Sequence, residues 1–169
     1  MKITITKGRL LDQIAIARVD GSSAATTFPK KGPVPHDAVH WYVERELELL
    51  QGFWGMVAGG QHPEEIAEIA KAAGHASAKR AEVPDLAIVQ LLQAERVVEC
   101  FEADLWGGAS GAAAELIALA ETACGTSHVL LPELDAAAVE RIRAGLGQFA
   151  RDWIAAPQGY AAVLEWEEA

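Results

Sequence analysis

The chain has 169 residues, just over half of them hydrophobic, and a formal net charge of −10. That length suffices for one domain with a buried core, and that composition argues against wholesale disorder. An acidic body repels phosphate backbones, which argues against nucleic-acid binding as the main function, and no apolar run reaches the roughly 18 residues of a membrane span.

The first residues, Met1-Lys2-Ile3-Thr4-Ile5-Thr6-Lys7, alternate apolar and polar and lack the continuous apolar stretch of a signal peptide, so the chain reads as cytoplasmic. Charge is unevenly placed. Residues 1–35 hold Lys2, Lys7, Arg9, Arg18, Lys30 and Lys31 against Asp12 and Asp20, an excess of four positive charges, which leaves −14 for the remainder. Such a basic segment serves as a solvated strand surface or as a complement to acidic helices of the same or a second subunit; a face toward an anionic ligand is the sharper alternative. The two cysteines, Cys100 and Cys124, lie in apolar helical patterns without Cys-x-x-Cys spacing, and read as two small buried thiols.

Lys2–Arg9 alternates with Ile3 and Ile5 on one face, as a half-buried strand does. Gln13–Val19 repeats the pattern, Asp20-Gly21-Ser22-Ser23 is a turn, and Ala25–Phe28 is a third strand, giving an antiparallel meander. Lys30-Lys31-Gly32-Pro33-Val34-Pro35 is a loop. The periodicity then becomes helical, with helices over 36–51, 63–74, 85–106, 111–124 and 135–156. Pro63 with Glu64 and Glu65 starts one well; Gly74 is its stop, and Pro84-Asp85 opens the long one. Ser110 reads as a helix cap, since Gly107–Gly111 follows a helix and matches neither a phosphate loop nor a nucleophile elbow. Ala138, Ile142, Leu146, Phe149 and Trp153 form a core-facing stripe. After Pro157-Gln158-Gly159, Tyr160–Glu167 alternates as a closing strand. The layout is a single α+β domain over residues 1–169: a small antiparallel sheet, an N-terminal meander plus the C-terminal strand, packed with about five helices.

Chemistry concentrates at His36-Asp37-Ala38-Val39-His40-Trp41-Tyr42-Val43-Glu44. His36, His40 and Glu44 are successive i, i+4 neighbours and form one row on a helix. Two histidines at that spacing can share a metal ion, with the carboxylate as a further ligand. The pattern is similar to the His-Glu-x-x-His of metalloproteases, with the shorter Asp37 after the first histidine. At about 100° per residue His36 and His40 fall on the side of Val43 and Leu47, whereas Glu44 lies at the edge. Inward imidazoles need hydrogen-bond partners, a metal or a pocket; a pair satisfied by backbone carbonyls and carboxylates is the plain reading. His62, His75 and His128 have no matching pattern. Glu95, Glu99 and Glu102 form an i, i+4, i+7 row that reads as a solvated face; two carboxylates turned toward a histidine pair would instead suit an iron, manganese or zinc centre. Gly52-Phe53-Trp54-Gly55 is a tight turn that delivers two aromatic side chains to a core plug or a pocket wall. Trp41 and Tyr42 project away from the apolar stripe, so another element or subunit must cover them.

The run from Gly32 through Glu44, followed by Gly52-Phe53-Trp54-Gly55-Met56-Val57-Ala58, resembles a group of small uncharacterised bacterial proteins with Pro-His-Asp-x-x-His, an aromatic residue, a valine–glutamate pair and Gly-Phe-Trp-Gly. The resemblance covers about 30 residues. Ala38 stands where leucine is the expected residue. The resemblance marks the segment and implies no reaction. The expected function is therefore a small-molecule-binding or protein-interaction domain, homo-oligomeric, with a pocket of His36, Asp37, His40, Glu44, Phe53 and Trp54. The alternative is a metal-dependent hydrolase or oxygenase holding a divalent metal ion on His36, His40 and Glu44.

Overall fold

The alternating segments at the two ends of the chain pair into one sheet in the computed structural model, which describes residues 1–72 and 84–167. Strands β1 (Lys2–Thr6), β2 (Leu11–Ala17) and β3 (Ser23–Pro29) form the expected meander, and β4 (Ala161–Glu165) closes against β1, so the antiparallel order is β3-β2-β1-β4. The register sets Ile3 opposite Ile16 and Leu164, and Ile5 opposite Ile14 and Ala162, which puts every one of these side chains on the covered face. A shift of one residue would turn all of them to solvent. The helices among the described residues are α1 (His36–Glu46), α2 (Phe53–Ala58), α3 (Pro63–Ala72), α4 (Val89–Trp106), α5 (Ala113–Thr126) and α6 (Ala136–Ala155), with a 3-10 turn, Leu86–Ile88, before α4. The α+β class is as expected. The predicted stop at Gly74, and His75, lie outside the described residues. No helix among the described residues is long and apolar enough to cross a membrane.

Three local expectations need correction, and a fourth is met within the chain. Helix α1 ends at Glu46, not Gln51, because Glu48 takes a positive φ of 51° and the chain turns back. Gly52-Phe53-Trp54-Gly55 is no turn: Gly52 is the N-cap and Phe53 the first residue of α2, a sixth helix. Ser110 is not a cap. Ala112 occupies the N-cap of α5, where an alanine side chain can accept nothing, and Glu115 Oε2 takes the Ala112 N–H at 3.1 Å instead. Trp41 is buried, and the Tyr42 ring packs on Phe149 at 6.0 Å between centroids and over Gly145, where an added Cβ would lie 2.5 Å from the ring. The element that covers Tyr42 is α6 of the same chain.

The basic N-terminal segment is largely spoken for inside the fold. Lys7 Nζ donates to the Trp153 and Ala156 carbonyls at 2.6 and 2.7 Å, at the C-terminal end of α6. Arg18 donates to the Val57 and Gln61 carbonyls at 2.6 and 2.8 Å, closing α2, and Lys30 pairs with the buried Asp12 at 3.2 Å. Cations on orphan carbonyls satisfy the acceptors that a helix end leaves free and oppose its negative pole. Lys7→Met is expected to cost about 1 kcal/mol, read as a lowered midpoint in urea unfolding; an unchanged midpoint would refute the capping role.

One apolar cluster joins the inner sheet face to the helices, and the predicted α6 stripe (Ala138, Ile142, Leu146, Phe149 and Trp153) lies within it. Cys100 and Cys124 are buried free thiols, as their apolar surroundings predict. Burial, with Cys100 nearby, pushes the Cys124 thiol up to about 11.

Candidate functional site

Pro35 cannot sit in a helix interior but precedes a first turn well, so α1 begins at His36, with Asp37 placed favourably at the positive end. His36 is therefore helical, and its one-turn spacing to His40 is real: the two rings meet edge to face with centroids 4.7 Å apart. Helix α1 packs against α4. That contact delivers the Glu95 and Glu102 carboxylates, which the sequence pattern assigns to a solvated face, to the histidine pair. Glu102 is buried. Glu99, between them on the row, does point outward and holds the buried Arg96 guanidinium at 2.8 Å.

Each ring has one nitrogen on a carboxylate behind it and the other turned toward its neighbour. His40 Nδ1 lies 2.8 Å from Glu44 Oε1, and His36 Nδ1 lies 2.9 Å from Glu102 Oε1. The two Nε2 atoms then converge, 3.2 Å apart, with Glu95 Oε2 at 3.0 Å from His40 Nε2 and 3.5 Å from His36 Nε2. Three lone-pair atoms thus form a triangle, whose circumscribed radius is about 1.9 Å; a point about 2.1 Å from all three, the usual metal–ligand distance, lies just off its plane. His36, His40 and Glu95 are also the group of the described residues whose ligand atoms lie close enough to hold one ion.

Glu44 has a different place from the one its spacing predicts. It is fully buried, not at the helix edge. It lies on the far side of the His40 ring from the Nε2 triangle, and its two oxygens accept from the Phe53 and Trp54 backbone N–H groups at 3.0 and 2.8 Å. Those are the first two N–H groups of α2, which have no partner within their own helix. Glu44 therefore caps α2 and orients His40 at the same time. Gly52 is required by this arrangement, since a Cβ there would stand 2.6 Å from the Glu44 carboxyl group.

Protons follow the carboxylates. Burial alone lowers the pKa of His40, but its hydrogen bonds to Glu44 and Glu95 outweigh burial and push it up to about 10. His36 shows the same contest between burial and its hydrogen bonds to Glu102 and Glu95, and its pKa is also raised. Burial raises the Asp37 carboxyl, against the charges of His36, His40 and Lys31.

A cavity of about 370 Å³ opens on this cluster. Of the residues expected in a pocket, His36, Asp37, His40 and Phe53 line it. Trp54 is fully buried behind it and donates its indole N–H to the Asp37 carbonyl at 2.8 Å, which ties α2 to α1. Sequence reasoning did not place Phe28 of β3, Lys31 or Leu91 in this wall. For Glu95 and Glu102 the available signal was their spacing of two helical turns, which puts both carboxylates on one side of α4.

Compared with protein-family models, curated proteins and solved structures, the chain matches none. The chemistry must therefore be read from the geometry alone.

Proposed function

We propose that this protein holds one divalent transition-metal ion on His36 Nε2, His40 Nε2 and Glu95 Oε2, and uses it to act on a small molecule in the adjoining cavity. The observation that carries this reading is the polarity of the two imidazoles. Each has its Nδ1 on a carboxylate, Glu102 or Glu44, and the paired Nε2 atoms face one another and Glu95. A carboxylate on the rear nitrogen fixes the tautomer and raises ligand basicity, as it does for most metal-bound histidines. Two histidines and one carboxylate leave coordination positions open, which is the ligand set of catalytic zinc and of non-haem iron(II) centres. The reading thus takes up the metal-dependent hydrolase or oxygenase, with Glu95 as ligand in place of Glu44.

The test is loading of chelator-treated protein with zinc, manganese or, without oxygen, iron(II), followed by elemental analysis and melting. One ion per chain is expected, with a Tm that rises with metal concentration because only the folded state offers the site. His40→Ala and Glu95→Ala should each lower affinity by about a hundredfold or more. Failure of all three metals to bind stoichiometrically, with no shift in Tm, would defeat the reading.

A further inference from the structure

The walls of the cavity divide into two kinds. One kind is the His36, His40 and Glu95 triangle; the other is apolar, made by Phe28, Phe53, Ile66 and Leu91. Phe53 touches both kinds: its ring lies 6.0 Å from that of His40 and 6.3 Å from that of Phe28. Lys31 also lines the cavity, close enough for its charge to act on Asp37, the residue after His36. Lys7, Arg18 and Lys30 are committed to carbonyls or to Asp12, whereas Lys31 makes no hydrogen bond or ion pair among the described residues. It is an exposed cation in the cavity wall, engaged by no hydrogen bond or ion pair among the described residues.

We infer that the ligand of this site is a small monocarboxylate with an apolar body. This rests on the metal reading above. One carboxylate oxygen would take an open position on the ion, Lys31 would face the carboxylate charge, and the apolar body would lie on Phe28, Phe53, Ile66 and Leu91. A neutral ligand would leave Lys31 unused. A dianion is disfavoured because the carboxylates of Asp37, Glu95 and Glu99 outnumber the cations Lys31 and Arg96 in the same walls. The cavity volume is at the low end for small-molecule sites, which fits a body the size of one aromatic ring.

The experiment uses the full chain loaded with zinc, its stoichiometry first fixed by elemental analysis, and calorimetric titration with phenylacetate, benzyl alcohol, acetate and phenyl phosphate. Phenylacetate is expected to bind about tenfold or more tightly than each of the other three, since loss of the charge, loss of the body or a second charge each removes one matched interaction. Lys31→Gln should weaken phenylacetate about fivefold or more without changing zinc stoichiometry, and Lys31→Arg should restore it. Phenylacetate that fails to bind, binds no better than benzyl alcohol, or ignores Lys31→Gln overturns this inference while zinc remains bound at one per chain. A chain that takes up no zinc overturns the metal reading and this inference together.

Discussion

Glu44→Gln is expected to destabilise the metal-free protein by about 2–3 kcal/mol, and Glu44→Ala by about 4 kcal/mol, measured as shifts of the urea unfolding midpoint in chelator. The carboxylate accepts three hydrogen bonds in a site closed to water, from His40 Nδ1, Phe53 N and Trp54 N. Alanine leaves all three donors buried without partners. Glutamine keeps one acceptor oxygen but must aim its NH2 group at one of the three donors, so at least one contact becomes donor against donor. Gly52→Ala should act in the same direction, because its methyl group would displace that carboxyl from the α2 amides. Glu95→Gln makes the contrast. Its carboxylate faces the cavity but also lies 3.0 Å from His40 Nε2, so the substitution should cost less than Glu44→Gln, about 1–2 kcal/mol, while lowering metal affinity about a hundredfold. If Glu44→Gln unfolds like the wild type, Glu44 does not tie α1 to α2. If Glu95→Gln binds metal like the wild type, Glu95 is not a ligand.

The difference between these two glutamates also marks how far the sequence could be read. Strands and their faces followed from period-two alternation, because a one-residue slip would expose Ile3, Ile5, Ile14 and Ile16 together. Helix α6 followed from a stripe with no polar interruption. His36 and His40 were placed on the buried side of α1 by the same logic, and they are there. Glu44 was misplaced because angular position measures distance from an apolar stripe, and a carboxylate near its edge reads as solvated. What buries Glu44 is a pair of backbone N–H groups nine and ten residues later, and nothing in the helix itself encodes them. The hint was Gly52, whose missing side chain makes room for the carboxylate. Glu95 and Glu102 were misread for a related reason. A polar row on an amphipathic helix faces water unless another helix brings matching polar groups, and the crossing of α1 over α4 is a tertiary fact. Trp41 and Tyr42 pointed correctly to a covering element, but periodicity could not say that α6 is what covers Tyr42.

The same imidazole should give stability and metal affinity opposite pH dependences. In the folded metal-free chain His40 titrates at about 10, above its ordinary 6.5. A group whose folded pKa is raised binds its proton more tightly when folded, so its contribution is fully present below about pH 6.5 and is lost as pH rises through about 10. The difference in unfolding free energy between wild type and His40→Gln should therefore shrink across that window, with a limiting slope of about 1.4 kcal/mol per pH unit for one proton. Metal runs the other way. An ion can take His40 Nε2 and His36 Nε2 only as unprotonated donors, and the Glu44, Glu102 and Glu95 carboxylates hold protons on both rings. Zinc binding near pH 7 should release protons, seen as a dependence of calorimetric heat on the ionisation enthalpy of the buffer, and affinity should climb with pH until His40 has titrated. An affinity flat between about pH 6.5 and 9 would mean that the ion does not replace these protons and that the two imidazoles are not its ligands. Where the affinity rises while the metal-free stability falls, one pair of rear carboxylates accounts for both: they hold a proton on each ring without metal, and they orient the same rings toward the ion when it binds.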